Sequence, residues 1–254
     1  MIANAAGVCL FCRRRPAGSN EHIIPEEISK RILEISPLTP EHGGPVVPKP
    51  GATRFHYNKL IDMTVNVVCG NCNHKFFNDL QVAARPFFWP AIAGEPVLVS
   101  TELKKALAAW AYKTALLIPL NLEPRPKWPT IVGSLCSEFY EVSRPPAGAR
   151  VWAGRYDLRE EFPELVARAD LSELNVRRRS VEYKGTHVVF TLGFLVIAVM
   201  FWPQGIPDEI PREAERYPES QFLAMWPALL GDSSWPPAET FGYEALGALS
   251  TWGP

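Results

Sequence analysis

Four of the five cysteines fall into two close pairs, and their spacing indicates a metal site. The pairs are Cys9-Leu10-Phe11-Cys12 and Cys69-Gly70-Asn71-Cys72. Two such pairs supply the four thiolates of a tetrahedral structural zinc site, in which protein fills every coordination position. The ion would join the pairs across the intervening chain and so lower the entropic cost of closing that loop. Four unrelated buried thiols, or a redox dithiol that needs only one pair, are the alternatives.

Two polar segments accompany the cysteine pairs. Asn20-Glu21-His22-Ile23-Ile24-Pro25 lies between the pairs, and Asn73-His74-Lys75 directly follows the second pair. Together, Cys-x-x-Cys, Glu-His-Ile-Ile-Pro and Val-Cys-x-x-Cys-Asn-x-Lys resemble the HNH endonuclease family, whose motif is the ββα-metal finger. The resemblance covers about residues 7–85. A looser similarity, at Asn78–Gln81 and Trp110–Ala115, is to an HNH subgroup with a C-terminal extension.

The resemblance implies a catalytic set. His22 would be the general base that takes a proton from the attacking water, a role that suits imidazole because it titrates near neutrality. Asn66 would fix the orientation of that ring, with Asn58 as the second choice. Glu21 and Asn73 would hold a catalytic Mg²⁺ or Mn²⁺, since both offer hard oxygen ligands. Many HNH motifs have Asp and His at these two positions, and Asn is a weaker ligand than His.

Nucleic-acid contacts must come from local patches, because 26 basic and 27 acidic residues leave a net charge of −1. Arg13, Arg14 and Arg15 lie beside the first cysteine pair, and Lys75 would project from the first turn of the motif helix. Arg177–Arg179 form a second basic cluster. A solvated surface is the alternative interpretation of either arginine cluster. By helical geometry His74 would face away from the metal, and His42, His56 and His187 are interpreted as structural or exposed.

The predicted function is a metal-dependent endonuclease that hydrolyses phosphodiester bonds, with double-stranded DNA as its partner. A non-catalytic, zinc-stabilised module that docks on nucleic acid or protein is the alternative. In a third interpretation, the C-terminal two-thirds of the chain controls the nuclease, either as a ligand sensor or by binding a second copy of the chain or a regulatory partner. The choice between DNA and RNA, and any sequence preference, are left open by the residues.

The fold class is predicted to be α+β. Residues 1–85 would form the finger domain, and residues 86–254 a mixed α+β domain. Paired thiols and a single further Cys136 suggest a reducing cytoplasm. No secretory signal is predicted at the N-terminus. The most apolar stretch, residues 188–202, is shorter than the ~20 residues of a membrane span, and its composition favours buried strands.

Local patterns predict the elements that position these residues. A short strand would contain His22, and Pro25 would open a helix with acidic residues in its first turn. A second strand would cover Thr64–Val68, and the motif helix would run from about Asn71 to Ala84 before Arg85-Pro86 stops it. The other predicted elements are a loop over 36–53, a helix over Thr101–Ile118 capped by Ser100, a strand over Val151–Tyr156, a hairpin turning at Lys184–Thr186, and short helices at most after Pro203.

Overall fold

A computed structural model describes residues 7–35, 54–57, 63–121, 128–156, 167, 169–178, 181–203, 205–207, 209–213, 217–227 and 230–240. Its strands are β1 (Ser19–His22), β2 (Arg54–Tyr57), β3 (Thr64–Val68), β4 (Val97–Val99), β5 (Arg150–Arg155), β6 (Ala169–Arg178), β7 (Val181–Leu192), β8 (Leu195–Phe201), β9 (Phe222–Trp226) and β10 (Ser233–Trp235). Its α-helices are α1 (Glu26–Ile35), α2 (Asn78–Ile92), α3 (Thr101–Leu117), α4 (Trp128–Val142) and α5 (Glu209–Glu213). A π-helical turn, Cys72–Phe77, precedes α2, and a 3₁₀ turn, Ile118–Asn121, follows α3. The predicted α+β class is confirmed.

The N-terminal part is built on a two-stranded antiparallel pair. Strand β1 pairs with β3, with His22 opposite Thr64 and Glu21 opposite Val65. The chain then passes through the π-helical turn into α2. Side chains opposite each other in an antiparallel pair share a face. Val65 and Val67 are buried on one face, so His22 and Thr64, which are both exposed, lie on the other.

The larger sheet has six strands in the order β2-β6-β7-β8-β5-β9, and all of its pairs are antiparallel. Helix α3 packs between this sheet and α2. The ring of Trp110 lies 4.3 Å from that of Phe88 in α2 and 6.1 Å from that of Phe190 in β7. Every side chain of α3 from Leu107 to Leu117 is buried, which is typical of a helix enclosed on all sides. One apolar core therefore contains side chains from the cysteine region, α3 and the sheet.

Several predicted elements are confirmed by the structure. The predicted strand Thr64–Val68 coincides with β3, and α1 begins directly after Pro25. Ser100 caps α3, since its Oγ accepts a hydrogen bond of 3.2 Å from the backbone N–H of Leu103. The predicted strand from Val151 corresponds to β5. The predicted loop over 36–53 lies outside the described residues.

The prediction that Arg85-Pro86 ends the motif helix is wrong. Helix α2 continues through Pro86 and Pro90 to Ile92. A proline cannot donate to the carbonyl four residues earlier, which for Pro86 belongs to Val82. Val82 is 49% exposed, so water can hydrate that carbonyl. The helix therefore loses a bond on its solvent side and continues. The domain boundary at 85/86 stays a prediction.

The predicted hairpin turn at Lys184–Thr186 is also wrong, because these residues lie inside β7. A Cβ on Gly185 would come within 2.5 Å of Nε1 of Trp202, so this glycine marks close packing and not a turn. Strands β9 and β10 show that the tail after Pro203 has more than short helices. Strand β4 was likewise not expected from its Pro- and Gly-flanked sequence. No helix in the described part of the chain combines the length and apolar character of a bilayer span.

Candidate metal centre and adjoining groove

The two cysteine pairs meet in one buried cluster. The Sγ atoms of Cys9, Cys12, Cys69 and Cys72 all lie within 4.8 Å of one another, and those of Cys12 and Cys69 are 3.7 Å apart. Four sulfurs at about 2.3 Å from an ion form a tetrahedron with edges of about 3.8 Å. No disulfide joins these four cysteines. The cluster can therefore hold a metal ion such as zinc.

Local structure preforms this cluster. The backbone N–H of Cys9 bonds the carbonyl of Arg15 at 2.8 Å, and the N–H of Leu10 bonds that of Val67 in β3 at 3.0 Å. These bonds hold the first cysteine loop against the strand that leads into the second loop. Hydrogen bonding between the Cys9 and Cys72 thiols lowers the pKa of Cys9 and raises that of Cys72. The lowered pKa of Cys9 favours the deprotonated sulfur that metal ligation requires.

A polar groove of about 400 Å³ adjoins the cysteine cluster. It lies between β1, the start of α1 and the helical segment that follows Cys72. Its lining residues are Asn20, Glu21, His22, Pro25, Glu26, Glu27, Asn73, His74, Phe77, Asn78 and Gln81. The groove therefore contains three of the residues predicted for the catalytic site: Glu21, His22 and Asn73. Carboxylate, imidazole and carboxamide groups around one open cavity suit a cation or a proton transfer better than an apolar ligand.

Hydrogen bonds fix the walls of this groove. The Asn73 side-chain amide donates to Oγ of Ser19 at 2.8 Å and to the carbonyl oxygen of Asn20 at 3.0 Å. These bonds tie the π-helical turn to β1. On the other side, Arg85 of α2 donates to both carboxylate oxygens of Glu27 in α1, at 2.8 and 2.9 Å. Because the side-chain nitrogen of Asn73 donates its hydrogen bonds to β1, the side-chain oxygen is the atom that could bind an ion.

Glu21 lies at the inner end of the groove and is only 7% exposed. Its Oε1 lies 3.3 Å from Nζ of Lys113 in α3. Burial raises the pKa of the Glu21 carboxyl, and the Lys113 ammonium opposes that shift. Burial lowers the pKa of Lys113, and Glu21 opposes that change in turn. The Glu21 carboxylate is thus paired, on its side away from the groove, with Lys113, which lies outside the motif.

His74 also lines the groove, contrary to the expectation that it faces away. That expectation assumed α-helical geometry, in which adjacent side chains are about 100° apart. The structure instead has a π-helical turn at Cys72–Phe77. A π turn contains more residues per turn, so Asn73 and His74 are separated by a smaller angle and can share one wall.

The remaining predicted residues lie outside this groove. Asn66 is on the face of β3 that carries Thr64, and its buried Oδ1 has no hydrogen-bond partner among the described residues. No hydrogen bond within the described part of the chain joins it to His22, so the predicted orienting contact stays a prediction. Asn58, the second choice, lies outside the described residues. Lys75 is exposed on the π-helical turn but is not part of the groove lining.

The arginines beside the first cysteine pair are exposed. Nη2 of Arg13 donates to the carbonyl of Gly133 in α4 at 2.6 Å, so this side chain is partly occupied by a backbone contact. In the second cluster, Arg177 and Arg178 belong to β6, but their side chains and the whole of Arg179 lie outside the described residues. His42 lies there too, as does the side chain of His56. His187 is buried and bonds Tyr217, in agreement with a structural role.

Lys113 is the residue of this site that sequence reasoning missed. Its signal is a single charge in the otherwise uncharged helical stretch Ala106–Leu117. Such a lysine must find a partner when the whole helix is buried. Which partner it finds depends on long-range packing, and the sequence pattern does not contain that information.

No protein-family model, no curated protein and no solved structure matches the chain. The geometry of the cysteine cluster and of the groove therefore carries the functional conclusion.

Proposed function

We propose that this protein is a metal-dependent endonuclease of the HNH type that hydrolyses phosphodiester bonds of DNA. The observation that carries the proposal is the position of His22. This histidine is exposed at the end of β1 and shares one groove with Glu21 and Asn73, directly beside the four-cysteine cluster. A general base, two oxygen ligands and a structural metal centre are the parts that such a hydrolase needs.

His22 would act on water. A neutral ring nitrogen accepts one proton from a water molecule while the water oxygen forms a bond to phosphorus. The bond between phosphorus and the 3′ oxygen then breaks, which leaves a 5′ phosphate on one product and, after the 3′ oxygen takes a proton from solvent water, a 3′ hydroxyl on the other. The exposed position of His22 allows both water and a phosphate to approach the ring. Asn66, on the same face of the β1–β3 pair, is the proposed residue that orients the ring.

The chemistry of the donor set fits a small, hard divalent ion. The Glu21 carboxylate and the Asn73 carboxamide oxygen would hold Mg²⁺ or Mn²⁺, and the ion would neutralise charge on the phosphate and on the departing oxygen. Among the described residues, the four cysteines form the one group of three or more His, Cys, Asp or Glu ligand atoms that converge. The other positions around the ion would thus belong to water and phosphate oxygens, as is common for Mg²⁺.

The cysteine cluster would hold a structural zinc ion. Four buried sulfurs leave no open position for a substrate, so the ion contributes to folding and not to the reaction. Cys72 is followed at once by Asn73 in the same helical turn. Fixing the cysteine therefore also fixes the place at which the turn presents its groove residues.

One observation favours a second candidate, a zinc-stabilised binding module without catalysis. The Glu21 carboxylate is almost buried and already paired with Lys113, so it offers fewer free ligand positions than an exposed carboxylate. In this alternative the same groove and the exposed Arg14, Arg15 and Lys75 would contact phosphates or an acidic protein surface.

A plasmid-cleavage assay separates the two candidates. Wild type, His22→Ala and His74→Ala are incubated with supercoiled DNA in Mg²⁺, Mn²⁺ or EDTA. His74→Ala is a matched control, because it removes a second histidine from the same groove. We expect metal-dependent nicking by wild type, a rate about 10²–10⁴ times lower for His22→Ala, and partial rescue of that variant by added imidazole. Wild type that never cleaves favours the binding module, and full activity of His22→Ala places the active site elsewhere.

A further inference from the structure

Lys113 is a charged side chain in the middle of the apolar core. It is 1% exposed, and α3 presents it among aromatic and aliphatic neighbours. Its Nζ lies 3.3 Å from Oε1 of Glu21, 5.0 Å from the ring centroid of Phe77 and 5.8 Å from that of Trp110. Glu21 and Phe77 both line the groove. The ammonium therefore lies behind the groove wall and contacts two of its members.

Stability alone does not account for this arrangement. Removing two charges from water is costly, and apolar residues of similar volume often serve a core equally well or better. Cation–π contacts with Phe77 and Trp110 offset part of that cost. What the ion pair adds is direction, because a carboxylate with one oxygen held by a fixed cation has a defined orientation. Oε1 is the oxygen of Glu21 that Lys113 holds.

We propose that Lys113 is a positioning residue of the groove, which holds one oxygen of Glu21 so that the other can serve a divalent cation. The inference rests on the proposed function, because it assigns the groove a cation. It also gives the region after residue 85 a role in the site, since helix α3 completes what the N-terminal strands begin. Partners that orient a ligating carboxylate commonly contribute 10–100-fold to metal affinity or activity.

The chain offers a matched control in the same helix. Lys104 is also 1% exposed, but its Nζ donates to the carbonyl of Gly231 at 2.9 Å, and Lys104 is not among the groove lining residues. Lys113→Met and Lys104→Met thus each remove one buried ammonium from α3 and keep a side chain of similar length. Only the first removes the partner of Glu21.

The experiment measures Mn²⁺ binding to the full-length, zinc-loaded protein by the electron paramagnetic resonance signal of free Mn²⁺, and plasmid cleavage in parallel. We expect Lys113→Met to weaken Mn²⁺ binding about 10–100-fold. Lys104→Met should bind Mn²⁺ like wild type, even if it unfolds at a lower temperature. In a Glu21→Gln background, Lys113→Met should have little further effect, because the carboxylate that it positions is gone.

Each result has one meaning. Unchanged Mn²⁺ affinity in Lys113→Met overturns the inference, and tighter binding overturns it as well by making Lys113 a competitor of the ion. If Lys113→Met does not fold, Glu21→Gln decides: Mn²⁺ affinity equal to wild type shows that Glu21 needs no positioning. If Mn²⁺ binding depends on Lys113 but wild type does not cleave DNA, only the proposed nuclease function is overturned. If wild type cleaves DNA and Lys113→Met binds Mn²⁺ like wild type, only the role of Lys113 is overturned. Wild type that neither binds Mn²⁺ nor cleaves overturns both.

Discussion

The cysteine cluster and the polar groove are neighbours in sequence and differ in their access to solvent. Cys72 is fully buried, whereas Asn73 is partly exposed and His74 exposed. The cluster consists of four soft sulfur ligands enclosed by protein, and the groove has hard oxygen and nitrogen donors around an open cavity. A closed sulfur site suits a permanent ion, and an open oxygen site suits an exchangeable one. Two adjacent residues thus belong to sites that differ in donor chemistry and in access to solvent.

The difference in access follows from the packing around each site. The ring of Phe11, inside the first cysteine loop, lies 4.8 Å from that of Phe77, and the buried Val67 and Val68 belong to the same core cluster. These apolar groups exclude water from the sulfurs. The groove is instead flanked by Glu26 and Glu27 in the first turn of α1. The helix dipole stabilises these carboxylates there while they remain in contact with water.

The largest effect is expected from a cysteine substitution. Cys72→Ala should abolish zinc binding and unfold the N-terminal region, because the ~10–16 kcal/mol with which small zinc modules bind their ion is comparable to the ~5–15 kcal/mol stability of a whole domain. Elemental analysis and thermal unfolding measure both outcomes.

Cys136→Ala is the control for that substitution, because Cys136 is equally buried but lies outside the cluster. It should keep one zinc ion per chain, and its free energy of unfolding should fall only by the small cost of the cavity that the lost thiol leaves. Equal zinc content in the two variants would falsify the assignment of the cluster. Iron in place of zinc would leave the four ligands correct and change the identity of the ion.

A smaller effect is expected from a substitution in the open polar groove. Asn73→Ala should weaken the binding of the divalent ion in the groove about 10–100-fold while zinc content stays at one per chain. Asn73→His should strengthen the groove site, since imidazole is the better ligand. The measurement is cleavage rate against Mn²⁺ concentration, and high Mn²⁺ should partly restore Asn73→Ala.

Asn78→Ala serves as the matched control in that series, because Asn78 lines the same groove one helical turn further on. Asn73 also holds β1 through Ser19 and Asn20, and each lost hydrogen bond costs about 0.5–1.5 kcal/mol. Thermal unfolding of both variants therefore accompanies the titration. If cleavage by Asn78→Ala and by Asn73→Ala depends on Mn²⁺ concentration in the same way, Asn73 is not a metal ligand.

The smallest effect concerns the surface beside the cysteine cluster. Each phosphate neutralised on duplex DNA contributes about −0.9 to the slope of log affinity against log salt. Arg14→Ala and Arg15→Ala should each flatten this slope by up to that amount. Arg13→Ala should change it less, because its guanidinium already donates to Gly133. Fluorescence anisotropy with a DNA duplex at several salt concentrations measures the slopes. If all variants have the slope of wild type, DNA binds at another surface.

The sequence contained enough information for the features that depend on local chemistry. Two C-x-x-C pairs indicate a cluster because four thiols at that spacing have few other uses, and the structure brings them within 4.8 Å. The Ser100 cap and strand β3 follow from signals within a few residues of each position. His22 and Asn73 were paired by resemblance to a motif, and the structure lines one groove with both.

Features that depend on distant packing were not predictable in this way. Gly185 resembles a turn residue until Trp202 is known to pack against it. Pro86 resembles a helix end until the solvent exposure of Val82 is known. The contact between Glu21 and Lys113 joins residues 92 positions apart, and no local pattern relates them.

The π-helical turn Cys72–Phe77 affects how the chain would tolerate a change in length. A hydrogen-bonded loop from residue i to i+5 encloses one residue more than an α-helical loop, so the turn behaves as a one-residue insertion absorbed at a single place. Deletion of His74 should return the segment to the α-helical repeat without shifting the register of α2 or the positions of Cys69 and Cys72. Such a deletion variant should keep its zinc and its helical circular dichroism, yet present a different set of side chains to the groove. The scaffold and the groove surface can therefore change independently during evolution, because this turn absorbs the change in length.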